Sequence, residues 1–185
     1  MKKIVAILTL LFITTALAIA KPSDDKEIIV KLGVQPQNTI SVNGDDENMN
    51  VGISAGAEFF QYFGNIFALG AGAIIDLPRN FKNKNLKGSL SCIPLYFGAK
   101  ARTPLSGFND TYAFASGRVG YSMPMTNLLD SATGGLYWAA GFGVNINFVI
   151  IEALYAIHNF NYRLISVNKN APYSTITLYV GLNFE

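Results

Sequence analysis

The final stretch of the chain alternates strictly between apolar and polar or small positions. Ile176, Leu178, Val180, Leu182 and Phe184 fall on one face, and Thr175, Thr177, Tyr179, Gly181 and Asn183 on the other. Successive strand side chains point to opposite faces, so the pattern predicts a strand that is apolar on one side only. The same period of two recurs upstream and predicts strands over 27–34, 50–60, 66–76, 88–103, 110–122, 134–145 and 147–158. With the last strand these make eight, most of them near the length of about 9–11 residues that crosses a bilayer at a tilt. In the second strand Val51, Ile53, Ala55, Ala57 and Phe59 oppose Gly52, Ser54, Gly56 and Glu58. In the sixth, Leu136, Trp138, Ala140 and Phe142 oppose Tyr137, Ala139, Gly141 and Gly143. Pro94 cannot donate to a ladder, which predicts a bulge in the fourth strand.

A one-sided strand suits a soluble sandwich or a lipocalin-like barrel as well as a membrane barrel. The connections discriminate. Links 35–49, 77–87, 123–133 and 159–172 are long, whereas 61–65, 104–109 and 144–147 are short, and the two kinds alternate without exception. Short turns at one end, longer loops at the other and both termini beside the short turns are the rhythm of a membrane barrel. Aromatic residues follow it, with Phe59, Phe63, Phe67, Phe148 and Phe184 toward the short-turn end. Tyr121, Trp138, Phe160, Tyr162 and Tyr173 lie toward the other. The expected fold is all-β, an eight-stranded antiparallel up-and-down transmembrane β-barrel.

Half of the 185 residues are hydrophobic and 14% are charged, yet beyond residue 20 no apolar run is long enough for a spanning helix. Interleaving of lipid-facing and polar residues reconciles the two observations. Residues 1–20 read as a secretory signal peptide. Lys2 and Lys3 precede an apolar run from Ile4 to Leu17, and Ala18-Ile19-Ala20 offers a small-x-small cleavage site. A short lead, 21–26, then precedes the barrel domain, 27–185. Loss of Lys2 and Lys3 brings the 14 Lys and Arg level with the 12 Asp and Glu, so no basic footprint for nucleic acid remains. The single Cys92 excludes an internal disulfide and reads as a small strand residue.

Six strand charges, Glu58, Asp76, Lys100, Arg102, Arg118 and Glu152, fall on the face opposite the apolar one. A charge facing lipid at the midplane costs about 2–4 kcal/mol, so this face is expected to line a lumen. Glu58 and Glu152 are expected to pair across it with Lys100 and Arg118, beside Arg102, as a static plug or as a switchable gate. Phe148, Ile150 and Leu154 share the face of Glu152 and, with Phe114, are expected to fill the core or to line a path for a small apolar solute. His158, the only histidine, is expected at the rim of the seventh strand. One histidine without a cysteine cluster supplies no recognisable metal set, and neither metal nor cofactor is expected. Arg79, Lys82, Lys84 and Lys87 make the one basic exposed stretch, suited to lipopolysaccharide phosphates or acidic host polymers. The acidic link before the second strand, with Asp45, Asp46 and Glu47, can approach it or bind cations.

The closing strand, with Tyr179, Leu182 and the near-terminal Phe184 one place before Glu185, resembles the signal read by the outer-membrane assembly machinery. In layout the mature chain resembles the small eight-stranded outer-membrane proteins of the OmpA and OmpX class. The resemblance implies a monomer in the outer membrane of a diderm bacterium, in contact with its lipid and lipopolysaccharide. It also implies ion pairs in the lumen like those of OmpA-type barrels. The expected role is non-enzymatic: envelope integrity or surface interaction and adhesion through the extracellular loops. The alternative is a narrow or gated pore for small solutes, OmpW-like, and behind it an outer-membrane lipid-modifying enzyme. Lipid A deacylases of similar size share a His-x-Ser arrangement, and His158-Asn159-Phe160 lacks its serine.

Overall fold

A computed structural model describes residues 26–42, 45–82, 89–107, 110–126, 132–164 and 167–184. The signal peptide, residues 21–25 of the lead, and Lys84 and Lys87 lie outside the described residues. Ten strands follow in order: β1 (Lys26–Val42), β2 (Asp45–Asn48), β3 (Gly52–Phe63), β4 (Phe67–Asn80), β5 (Ser89–Pro104), β6 (Thr111–Thr126), β7 (Ala132–Thr133), β8 (Gly135–Ile146), β9 (Val149–Leu164) and β10 (Val167–Phe184). Eight of them are staves, paired in the order β10-β1-β3-β4-β5-β6-β8-β9, and antiparallel pairing of β9 with β10 closes the ring. The short strands β2 and β7 pair with β1 and β9 at the rim.

Alternation sets what faces out. Val30, Leu32, Phe97, Val119, Phe142, Leu178, Val180 and Leu182 are each more than 40% exposed and belong to an apolar belt around the wall. Phe63, Phe67 and Phe184 join it at the turn end, and Tyr121 and Trp138 toward the hairpin end. Phe160 and Tyr173, expected in an outer girdle, are instead inside the barrel, 2% and 0% exposed.

The turns match their sequence. Three residues, Gly64 to Ile66, join β3 to β4, with Gly64 at a φ of 73° that only glycine adopts freely. Asn147 and Phe148 join β8 to β9, with Asn147 at a φ of 54°. Phe148 therefore sits in the turn, largely exposed, and does not share the face of Glu152 as expected.

Among the described residues, the long links hold more strand than their sequence suggests. The staves extend into their described parts as paired strand, and Ile40, Met49, Phe81, Leu90, Cys92, Phe160 and Tyr173 pack into a cluster inside that end. Two bulges make this possible. Between Val34 and Gln37 three residues of β1 advance against two of β10, and between Asp76 and Arg79 three of β4 against two of β5. Each bulge holds a proline, Pro36 or Pro78, whose missing N–H suits a broken ladder. Pro36 and Gln37 both face out, as do Leu77 and Pro78, so Asn38, Ile40, Arg79 and Phe81 turn inward. Pro94 causes no such shift, because Leu95 and Cys92 on either side hold the same register against Ala73 and Asp76. The bulge expected there lies at Pro78.

Candidate functional site

Side chains fill the lumen in layers, and one layer is a closed ring of four charges. Lys31 on β1 and Arg118 on β6 stand on opposite walls, with Glu58 of β3 and Glu152 of β9 between them. Lys31 Nζ lies 2.9 Å from Glu58 and 2.8 Å from Glu152, and Arg118 Nε and Nη2 lie 2.7 Å from the same two residues. Tyr96 Oη donates to Glu58 at 2.6 Å and Ser116 Oγ to Glu152 at 2.9 Å. All four charged residues are buried. Two cations against two anions leave the layer neutral, and the added hydroxyls satisfy the oxygens that desolvation would otherwise penalise. The wall is glycine where this needs room. A Cβ on Gly72 would come within 2.9 Å of Glu58 Cγ, and one on Gly141 within 3.0 Å of Glu152 Oε1.

Lys100 is not in this ring. It lies nearer the turns, 2.7 Å from Glu27 and over the Phe114 ring at 4.4 Å, and Tyr62 Oη donates to the same Glu27 oxygen at 3.2 Å. Ile29, Phe60, Tyr62, Ala68, Phe114 and Ile150 pack around the pair. Arg102 is outside both groups. Only half-buried, it stacks on Tyr62 at 3.7 Å and Tyr112 at 4.7 Å and donates to the Asn65 carbonyl at 3.2 Å. Sequence reasoning missed Glu27 and Lys31. Their signal was present, since Ile28, Val30, Leu32 and Val34 fix the phase of β1 and place Glu27, Lys31 and Gln35 on its inner face.

Toward the hairpins, Ile74, Tyr96, Tyr137, Ala139, Leu154, Ala156 and Tyr179 form an apolar and aromatic layer. Above it lies a second polar group. Asp76 accepts from Gln35 Nε2 at 2.7 Å and from Cys92 Sγ at 3.0 Å, with Arg79 Nη2 3.4 Å away. Arg79 Nη1 and Tyr173 Oη both donate to Asn38 Oδ1. His158 Nδ1 is 2.9 Å from Ser122 Oγ and 3.7 Å from Cys92 Sγ, with Tyr137, Tyr173 and Phe160 rings around it. His158 is thus no rim residue: β9 runs six residues past it to Leu164, and it is 2% exposed. Arg79 is likewise not part of an exposed anion-binding stretch but is buried, because the Pro78 bulge turns it inward. Lys82, by contrast, is exposed. Ser122 and His158 form a serine–histidine pair that the sequence does not announce, yet Ser122 is fully buried and offers no face to a substrate.

No protein-family model matches the chain, and no curated protein matches it. Solved structures do. Ail, the attachment invasion locus protein of Yersinia pestis, aligns over 86% of this chain and 99% of its own with a TM-score of 0.54 and 15% identity. The neisserial surface protein NspA aligns over 85% and 97% with a TM-score of 0.54 and 12% identity. OprG of Pseudomonas aeruginosa aligns over 87% and 96% with a TM-score of 0.50 and 12% identity. The fold is that of the small eight-stranded outer-membrane barrels.

An eight-stranded barrel of this kind has an interior just wide enough for side chains to fill, which explains why every layer here reaches across. The closing strand of the barrel is two-sided as well. Leu182 and Phe184 point out, whereas Tyr179 points in, receiving a hydrogen bond from Ser54 Oγ at 3.1 Å and lying 4.5 Å below Lys31 Nζ.

Proposed function

We propose that this protein is a plugged outer-membrane barrel, without catalytic activity, that acts at its hairpin end in surface interaction. The apolar belt supports its placement in a bilayer, because exposed leucine, valine and phenylalanine at this density need lipid against them. One observation carries the functional reading. The lumen is occupied by layer after layer of mutually bonded side chains, while the hairpins beyond the belt have a core of their own. Such a barrel is a rigid support, and binding belongs to the segments it raises. With Arg79 turned inward, Lys82, Lys84 and Lys87 remain as the cationic group on the β4–β5 connection. Their chemistry suits sulfated or phosphorylated polymers and lipopolysaccharide phosphates. Ail, on the same fold, has been crystallised with the heparin analogue sucrose octasulfate.

The test is retention of the refolded protein on immobilised heparin and on lipopolysaccharide at rising salt. Retention that falls in a Lys82→Gln, Lys84→Gln, Lys87→Gln variant supports the reading. Equal elution of variant and wild type would remove it.

A further inference from the structure

We infer that Asp76, Cys92 and His158 form a zinc site inside the hairpin end of the barrel. A carboxylate oxygen, a sulfur and an imidazole nitrogen from three different staves all lie within 4.8 Å of one another, and the three residues are buried. Zinc takes this mixture of donors, at about 2.3 Å to sulfur and about 2.0–2.1 Å to nitrogen, which sets a tetrahedral S···N edge near 3.5 Å. The Cys92 Sγ to His158 Nδ1 distance is 3.7 Å. The Asp76 Oδ2 to Cys92 Sγ distance is 3.0 Å and opens by a few tenths of an ångström when the thiol proton between them gives way to a metal.

The surroundings supply what three donors lack. A cavity of about 10 Å³, room for roughly one water, adjoins the group and is bordered by Gln35, Asp76, Tyr137 and His158. Two of its bordering residues, Gln35 and Tyr137, carry buried oxygens, Oε1 and Oη, without a hydrogen-bond partner. A zinc-bound water in that cavity completes the fourth position. Ser122 Oγ, 2.9 Å from His158 Nδ1, is the protein ligand that can take the same position. Gln35 Nε2 holds Asp76 by its other oxygen, the outer bond that keeps a metal-binding carboxylate oriented. Binding exchanges one proton for one metal ion: Cys92 S–H loses H⁺ to solvent and the thiolate takes the Zn–S bond, with no change of oxidation state. The ion ties β4, β5 and β9 together where β4 is bulged, so its role is to fasten the hairpin end.

The experiment uses the mature chain refolded in detergent with Zn²⁺ or with Co²⁺ as its spectroscopic substitute. About one metal per chain retained through desalting is expected, with a thiolate-to-cobalt charge-transfer band and tetrahedral d–d bands. Zinc raises the unfolding temperature of wild type but not of Cys92→Ser. His158→Gln loses the metal and Cys92→Ser loses the charge-transfer band, each still shifting on boiling as a folded barrel. Folded wild type that retains no metal overturns the site, as does a Cys92→Ser variant that binds zinc as tightly as wild type.

Discussion

Lys31 and Arg118 share two carboxylates without sharing an oxygen: Lys31 bonds Oε2 of both Glu58 and Glu152, and Arg118 bonds Oε1 of both. The two cations come from opposite walls, so the ring braces the barrel across its diameter. Removing either cation leaves two buried carboxylates sharing one positive partner, which costs about 3–5 kcal/mol. Arg118→Ala is expected to lower stability by that amount in urea unfolding from lipid. Removal of Arg118 and Glu152 together, as Arg118→Met with Glu152→Gln, is expected to cost much less than the sum of the single changes. Additive effects would show that the four charges act independently.

The same ring bears on conduction. Opening it by Arg118→Ala leaves the aromatic layer with Tyr96, Tyr137 and Tyr179 on one side and the layer with Phe60 and Phe114 on the other. Wild type and Arg118→Ala are therefore both expected to be silent in planar bilayers. Stepwise channel events from wild type would favour the gated pore instead.

Glycine on the inner wall is expected to matter more than its size implies. A Cβ at Gly72 would lie 2.9 Å from Glu58 Cγ, from Tyr96 Cζ and from the Ala57 carbonyl oxygen. Backbone cannot yield there, so Gly72→Ala is expected to lose about 1–3 kcal/mol through overpacking. Gly117 has nothing within 4 Å of such a Cβ. Gly117→Ala is expected to leave the unfolding midpoint close to that of wild type, and the contrast between the two variants is the measurement.

Sequence periodicity reveals the barrel because the staves are two-sided. Glu152, Leu154, Ala156 and His158 all fall on one side of β9, and all are buried inside. The phase of His158 was therefore legible, but not its depth. A strand that continues beyond the apolar belt loses the outward hydrophobic signal, and the polar links at that end read as loops. Arg79 was read within one of those links, 77–87, and even a strand there would not have disclosed its side. Strict alternation from Asp76 sends Pro78 inward and Arg79 outward, and the bulge reverses this with no hydrophobic cue. Which acid meets which base was beyond the sequence, because partners such as Lys31 and Glu152 are 121 positions apart and meet only when β9 and β10 close the ring.

The bulge in β4 is itself testable. Asp76 pairs with Cys92 and Arg79 with Leu90, so one residue of β4 is supernumerary, and beyond Asp76 the strand pairs with β5 rather than β3. Deletion of Pro78 removes the extra residue, leaves Leu77 outward and keeps Arg79 and Phe81 inward. Deletion of Ala73, which pairs with both Ala57 and Leu95, shifts the phase of everything between it and the bulge and drives Asp76 toward lipid. The Pro78 deletion is expected to fold and to keep its heat-modifiable migration in cold SDS, whereas the Ala73 deletion is not. In a Cys92→Ala background, a Phe81→Cys thiol is expected to resist maleimide both with and without Pro78. Rapid labelling on loss of Pro78 would mean that the proline, and not the ladder, holds Phe81 inside.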